Sequence, residues 1–316
     1  MTAAHRNPFF KNQYTRHHQG TFSTCRLLLY CILLLTIWSN GAAQLRSDSL
    51  QIDGTWRRYH YQEPSTAVPP QRLVFVLHGS GGSGIGRMKE TATLQTIAAT
   101  EPVLFVYPDG YKNFWNECRK AASSAANLED IDEASFFRAM ISALSKKYGA
   151  DSSAAFAIGF SGGGHMAYKL ALTMPETFRA IVAIVASLPA EENMDCTPSG
   201  RPAAVMIVNG TNDQVSPYNG GTINAAGVTL GQVRSTEATF RYWSSLAGYS
   251  GEPLRDLMPD ADTTNSTSIE RYRYAAPGKP EVTLLKMVNG THADPKDLDI
   301  YREAWDFLKR QTPSLR

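Results

Sequence analysis

The chain has 316 residues, of which 43% are hydrophobic and 19% charged. These proportions are typical of a globular protein and exclude a disordered or fibrous one. Of its 31 basic and 29 acidic residues, four basic and no acidic ones lie within residues 1–43, so the remaining 273 residues have a net charge of −2. That balance leaves no basic patch for nucleic acid, and we expect no nucleic-acid partner.

Residues 1–43 have the composition of a secretory signal peptide. A basic segment precedes the apolar run Leu27–Trp38, and small residues follow up to Ala43. The alternative is an uncleaved membrane anchor, but a run of 12 residues is too short to span a bilayer core, which is about 30 Å thick. We predict cleavage after Ala43, a secreted or periplasmic protein, and no membrane contact after cleavage.

Two cysteines, Cys118 and Cys196, remain in the mature chain. An even number of cysteines in an exported protein favours one disulfide bond, and two unpaired buried thiols are the alternative. The two cysteines form no recognisable zinc motif, and we expect neither a metal site nor a cofactor.

Predicted strands and helices alternate along the mature chain. Continuous apolar runs, which predict strands buried on both faces, lie in order at residues 72–77, 103–107, 154–158, 181–185, 203–208 and 283–287. Helices are predicted at residues 132–147, 164–173 and 298–310. The polar stretch 256–268 is predicted to be a surface excursion. The alternation predicts a single α/β domain, residues 44–316, with a mostly parallel, doubly wound sheet and helices on both faces.

A glycine-flanked serine joins the third predicted strand to a helix. Gly159, Ser161 and Gly163 match the pattern G-x-S-x-G, in which a tight strand-to-helix turn exposes a nucleophilic serine. A serine hydroxyl needs a base that takes its proton, and in this class an acid and then a histidine follow the serine in the chain. Of the two later histidines, His165 lies on the same helix and cannot easily turn back, which leaves His292 as the base.

The acid is predicted between the serine and the histidine, at the end of a strand. Asp213 lies just beyond the run 203–208, where a carboxylate could orient an imidazole; the alternative is an Asx-turn residue. The oxyanion that forms during acyl transfer needs backbone donors. We predict the N–H groups of Gly162 and Ser80, with Gly79 as the alternative to Ser80. Both alternatives lie in the glycine-rich loop 78–82, in which His78 is expected to make structural hydrogen bonds.

Six segments in this order resemble one esterase family, which includes feruloyl esterases, acetylxylan esterases and polyhydroxybutyrate depolymerases. The segments are Leu77–Gly82, Tyr107–Gly110, Ile131–Glu133, Gly159–Gly163, Asn209–Asp213 and Gly290–His292. The resemblance implies an α/β-hydrolase fold and a carboxylic-ester hydrolase with Ser161, Asp213 and His292 as its triad and no metal. It also implies that Trp115 and Tyr218 lie near the substrate cleft.

The chain also departs from the family's usual pattern. It has Gly162, His165 and Asp294 where the family usually has Asn, Met and Trp. The expected substrate is therefore given only as a class, a feruloyl or acetyl ester of a polysaccharide or a hydroxyalkanoate polyester. Two alternatives stay open, an exported serine peptidase of the same fold and a non-catalytic polysaccharide-binding protein. The sequence gives no indication of a protein partner.

Overall fold

The computed structural model describes residues 44–64, 68–153, 155–225 and 228–311. The predicted signal peptide, residues 1–43, lies outside the described residues. Within the four described ranges, no helix has both the length and the apolarity that crossing a bilayer requires.

Ten strands of the described chain form one sheet. In the order in which they lie side by side, they are β1 (Leu45–Ile52), β2 (Thr55–Gln62), β4 (Val103–Pro108), β3 (Arg72–Leu77), β5 (Ala155–Phe160), β6 (Phe178–Ile184), β7 (Ala204–Gly210), β12 (Val282–Val288), β11 (Ser268–Tyr274) and β10 (Leu254–Leu257). The six strands from β4 to β12 are parallel, and two antiparallel strands extend the sheet at each side. The central strands are almost entirely buried, as their apolar runs predict.

Helices cover both faces of this sheet. They are α1 (Gly84–Glu90), α2 (Ala92–Ala98), α3 (Ala125–Leu128), α4 (Glu133–Tyr148), α5 (Gly162–Thr173), α6 (Thr236–Leu246) and α7 (Ile300–Arg310). Alternate residues of β3 enter two different cores: Leu73, Phe75 and Leu77 pack with α4, α5 and α6, whereas Val74 and Val76 pack with α1, α2 and α7. The predicted doubly wound α/β architecture is confirmed.

The direction of winding reverses at β3. The chain passes from β3 to β4 on one side and then to β5 on the other, so the loops that leave β3 and β5 diverge above the sheet. A crevice at the carboxyl ends of the strands is expected at such a switch point. The loop 78–82 and Ser161 both lie there, because they follow β3 and β5 directly.

The predicted surface excursion at residues 256–268 begins inside a strand. Residues Leu254–Leu257 form β10, which pairs antiparallel with β11 at the edge of the sheet, so the prediction is wrong at its amino-terminal end. All four residues of β10 are exposed. The stability of β10 comes from backbone pairing and not from a buried apolar face. The sequence of this edge strand therefore has no hydrophobic pattern.

Cys118 and Cys196 form a disulfide bond, with their Cα atoms 5.1 Å apart. The predicted disulfide is therefore confirmed. It joins the loop after β4 to the loop between β6 and β7. The same two loops are also connected through the backbone, since the N–H of Asp195 donates to the carbonyl of Cys118 at 3.2 Å.

Candidate active site

Ser161 occupies a strained turn between β5 and α5. Its backbone has φ 52° and ψ −117°, in the left-handed half of conformational space that a residue with a side chain rarely adopts. A Cβ atom at Gly159 would lie 2.0 Å from the carbonyl oxygen of Gly163, and one at Gly163 would lie 2.4 Å from that of Leu77. The two glycines of the G-x-S-x-G pattern are therefore required by backbone crowding.

The structure brings Ser161, His292 and Asp213 together in one hydrogen-bonded chain. The Oγ of Ser161 lies 2.9 Å from Nε2 of His292, and Nδ1 of His292 lies 2.7 Å from Oδ2 of Asp213. Because an ionised carboxylate only accepts hydrogen bonds, Nδ1 carries the imidazole proton and the lone pair of Nε2 faces the serine hydroxyl. This arrangement can transfer the hydroxyl proton to Nε2.

Asp213 is held by the backbone that follows it. Its Oδ1 accepts hydrogen bonds from the N–H groups of Val215 and Ser216, each at 2.8 Å, while Oδ2 faces His292. The residue is only 5% exposed. Both oxygens are therefore fixed before any substrate binds, which orients the imidazole ring.

The loop that carries His292 lies against an ionic network centred on the buried side chain of Arg87. The guanidinium of Arg87 lies 3.5 Å from Oδ1 of Asp294 and 4.5 Å above the ring of Phe160. The hydroxyl of Tyr301 donates to Asp294 at 2.7 Å. Phe160 in turn contacts His292, with 5.8 Å between ring centroids. Asp294, at which the chain departs from the family's usual tryptophan, thus links the histidine loop to α1 and α7.

The backbone of Ser80 lies beside that of Gly162. A Cβ atom at Gly162 would lie 2.9 Å from the nitrogen of Ser80. Gly162 is the first residue of α5, so its N–H has no carbonyl partner within its own helix. A helix amino terminus also favours negative charge. The two N–H groups predicted as oxyanion donors are therefore neighbours at the serine.

His78 fixes the shape of the loop that carries Ser80. Its Nδ1 donates to the carbonyl of Gly79 at 2.8 Å, and its Nε2 accepts the N–H of Gly110 at 2.9 Å. Burial lowers the pKa of His78 below its usual value, which keeps the ring neutral in this role. The expected structural function of His78 is confirmed by these contacts.

Two of the cavities in the described residues adjoin the serine. The larger one, of about 510 Å³, is lined by Ser80, Gly81, Phe114, Trp115, Glu117, Arg119, Ala122, Ser123, Ser124, Ala125, Asn127, Gly162, Ala225 and Leu230. The smaller one, of about 260 Å³, is lined by Gly79, Ser80, Arg119, Phe160, Ser161, His165, Val185, Val215, Ser216, Ile223, Ala225, Leu230 and His292. Ser161 and His292 line the smaller cavity, and the two cavities adjoin because Ser80, Arg119, Ala225 and Leu230 line both.

A hairpin outside the main sheet supplies one wall of these cavities. Its strands are β8 (Gly221–Ala225) and β9 (Val228–Val233). Asn193 attaches the hairpin to the disulfide-bonded loops, because its side-chain amide donates to the carbonyls of Leu230 and Gln232 at 3.2 and 2.9 Å. This wall is missing from the sequence-based prediction.

The two aromatic residues expected near the substrate have different positions. Trp115 lines the larger cavity, and its Nε1 donates to the carbonyl of His78 at 2.9 Å. Tyr218 lines a separate cavity of about 320 Å³ together with Glu237, Phe240 and Tyr272. The structure thus brings Trp115, but not Tyr218, to the cavities beside Ser161.

A family model described as phospholipase/carboxylesterase matches residues 63–229, more than half of the chain, and the chain belongs to this family. The putative esterase NocK of Nocardia uniformis subsp. tsuyamanensis is 28% identical over 78% of this chain and 72% of its own length. The probable feruloyl esterase C of Aspergillus niger is 29% identical over 54% of this chain and 59% of its own length, which is less than two thirds of that relative.

Among solved structures, an acetyl xylan esterase from Aspergillus awamori matches 83% of this chain and 99% of its own length, with a TM-score of 0.57 and 17% identity. At that identity the likeness shows the fold alone, which is the α/β-hydrolase fold. Membership of the phospholipase/carboxylesterase family makes the protein a carboxylic ester hydrolase.

Proposed function

We propose that this protein is an exported serine esterase that cleaves its substrate through an acyl-enzyme intermediate on Ser161. The observation that carries the proposal is the hydrogen-bonded chain from Ser161 through His292 to Asp213, with distances of 2.9 and 2.7 Å. A nucleophile bonded to a base that a third group orients is the arrangement that activates a serine.

The reaction proceeds in two halves. In the first, Nε2 of His292 takes the hydroxyl proton as Oγ of Ser161 attacks the ester carbonyl, and the oxyanion accepts hydrogen bonds from the N–H groups of Ser80 and Gly162. His292 then gives its proton to the leaving alcohol, which departs as the acyl-enzyme forms. In the second half, water takes the place of the alcohol, and hydrolysis of the acyl-enzyme releases the acid and restores Ser161.

The proposed substrate is a feruloyl or acetyl ester of a polysaccharide or a hydroxyalkanoate polyester. The aromatic lining of the larger cavity, Phe114 and Trp115, suits an acyl group of such an ester, and relatives of the chain bear the name feruloyl esterase C. Export by cleavage after Ala43 is part of the proposal, and the Cys118–Cys196 disulfide supports it, because such bonds persist in oxidising compartments.

The test is a substrate screen with matched variants. The parent should cleave 4-nitrophenyl acetate and at least one of methyl ferulate, acetylated xylan and hydroxybutyrate oligomers, and a fluorophosphonate probe should label it. Ser161→Ala should abolish labelling and lower kcat by about 10⁴ or more, whereas Ser153→Ala, which changes an exposed serine, should retain both. Activity of Ser161→Ala within about tenfold of the parent would refute the mechanism, since loss of a nucleophile costs far more. Faster cleavage of peptide anilides than of esters would refute the substrate class.

A further inference from the structure

Arg119 is buried at the place where the two cavities beside Ser161 adjoin. It is 4% exposed and lines both cavities. Its Nε donates to Oε1 of Glu117 at 2.8 Å, and its backbone N–H donates to Oε2 of the same carboxylate at 2.9 Å. In the part of the chain that the structure describes, no residue accepts a hydrogen bond from its two terminal nitrogens.

The unused donors of Arg119 face the substrate cavities. A guanidinium has five N–H groups, and the contact with Glu117 uses one of them. The side chain is 5% exposed, and its terminal nitrogens are not fully buried. Donors without a protein acceptor in so narrow a cleft favour binding of an oxygen from a substrate or from water. The disulfide bond of Cys118 fixes the segment between Glu117 and Arg119, which keeps these donors in place before binding.

His165 makes the floor of the smaller cavity polar as well. It is 3% exposed and lines that cavity with Ser161, and its Nδ1 has no hydrogen-bond partner among the residues described. Burial and the positive charge of Arg119 hold the pKa of His165 well below 6.5, so the ring is neutral at neutral pH. The remaining wall is largely apolar, with Val185, Val215 and Ile223.

The charges of the Arg119–Glu117 pair determine which kind of substrate oxygen can accept hydrogen bonds from Arg119. Glu117 is 2% exposed and neutralises Arg119 within the buried pair. A carboxylate on the substrate would add a second negative charge close to Glu117, in surroundings that screen it poorly. An uncharged oxygen accepts the same hydrogen bonds without that repulsion.

We propose that Arg119 is a specificity-determining residue whose terminal N–H groups donate to an uncharged oxygen in the acyl chain or the alcohol of the ester. The inference rests on the proposed function of Ser161. It names the substrate class more closely: esters with an ether, hydroxyl or carbonyl oxygen several bonds from the scissile bond, in preference to plain hydrocarbon chains.

The test uses pairs of esters in which one oxygen replaces one methylene group. In the acyl part, 4-nitrophenyl hexanoate is compared with 4-nitrophenyl 4-methoxybutanoate; in the alcohol part, butyl acetate is compared with 2-methoxyethyl acetate. The readout is the ratio of kcat/KM within each pair. Since the intrinsic reactivity of a substrate is the same for every variant, a change in this ratio between parent and variant reports on the altered residue.

Three variants distinguish the outcomes. In the double variant Arg119→Met with Glu117→Gln, which leaves no unpaired buried charge, the preference for the oxygen-containing ester should fall about tenfold in one pair, as expected for one hydrogen bond to a charged donor. Lys120→Met removes an exposed positive charge next to Arg119 and should keep the parental ratios. Parental ratios of the double variant in both pairs would overturn the inference.

Glu117→Gln alone tests the charge balance. It leaves the guanidinium without its neutralising partner, so cleavage of the anionic 4-nitrophenyl hydrogen glutarate should increase relative to the methoxybutanoate, by about threefold or more. No gain for the anionic ester would count against the inference. Failure of the parent to cleave any of these esters would instead refute the proposed function, so the two failures are distinguishable.

Discussion

Gly162→Ala is expected to lower kcat about 100-fold, because it displaces an oxyanion donor. The new Cβ atom would lie 2.4 Å from Oγ of Ser80 and 2.9 Å from its backbone nitrogen. Contacts of a Cβ atom below 3.0 Å essentially do not occur. The hydroxyl of Ser80 can turn away by rotation about its Cα–Cβ bond, but the 2.9 Å contact is with the backbone, so the N–H of Ser80 must itself shift. Loss of one oxyanion donor costs about 10² to 10³ in kcat.

The assay is steady-state hydrolysis of 4-nitrophenyl acetate. KM should change less than kcat, because the donors act mainly on the charge that develops in the transition state. The double variant Gly162→Ala with Ser80→Ala removes the 2.4 Å contact but keeps the 2.9 Å one, so it should recover only part of the lost rate. Circular dichroism verifies that the fold is retained, since overpacking costs about 1–3 kcal/mol of stability.

Gly86→Ala is the matched control. Gly86 also lies in a helix, and its only close neighbour for a Cβ atom is the hydroxyl of Ser83 at 3.1 Å. It should keep the parental kcat. If Gly162→Ala also remains within about threefold of the parent, far from the cost of a lost donor, Ser80 and Gly162 do not form the oxyanion site.

Three further predictions concern other parts of the molecule. Asp213→Asn should lower kcat by about 10⁴, as loss of the orienting carboxylate does in serine proteases; a parental rate would assign this function to another acid. Replacing Cys118 and Cys196 by alanine opens a loop with a sequence separation of 78 and should lower the free energy of unfolding by up to about 4.5 kcal/mol; equal urea midpoints would contradict this. Burial holds the pKa of His165 well below 6.5, so unfolding takes up a proton below that pH and stability falls. His165→Gln should remove about 1.4 kcal/mol of the decrease between pH 7.5 and 5.5; a parental pH dependence of unfolding would contradict it.

The centre of the fold could be predicted because strands that are buried on both faces need apolar side chains at almost every position. Strands β3 to β7 and β12 are covered on both faces and appear as continuous apolar runs. The edge strand β10 and the hairpin β8–β9 gain their structure from backbone pairing and from contacts with distant loops, which leave no periodic pattern. The predicted surface excursion at residues 256–268 therefore overlaps the last two residues of β10 and the first residue of β11.

The candidate triad could be predicted because its parts follow strand ends in a fixed chain order. The binding surface could not, because it is assembled from loops far apart in sequence. Arg119, His165 and Leu230 meet at one cavity, yet none belongs to a recognisable motif. Its position on the helix that follows Ser161 excludes His165 as the catalytic base. Only the fold shows that His165 lines the same cavity as Ser161. Tyr218, which the family resemblance places near the cleft, lies at another cavity.

The strained turn at Ser161 is maintained by the burial of the helix behind it. A residue in such a conformation costs about 1–3 kcal/mol. Ten of the twelve residues of α5 are buried, among them Met166, Leu170 and Leu172, and each large apolar side chain contributes about 1.5–3 kcal/mol when it is removed from water. Two such side chains already offset the strain. Because α5 packs only when the turn is as tight as Gly159 and Gly163 allow, the packing of α5 also holds the hydroxyl of Ser161 above the sheet, within hydrogen-bond distance of His292.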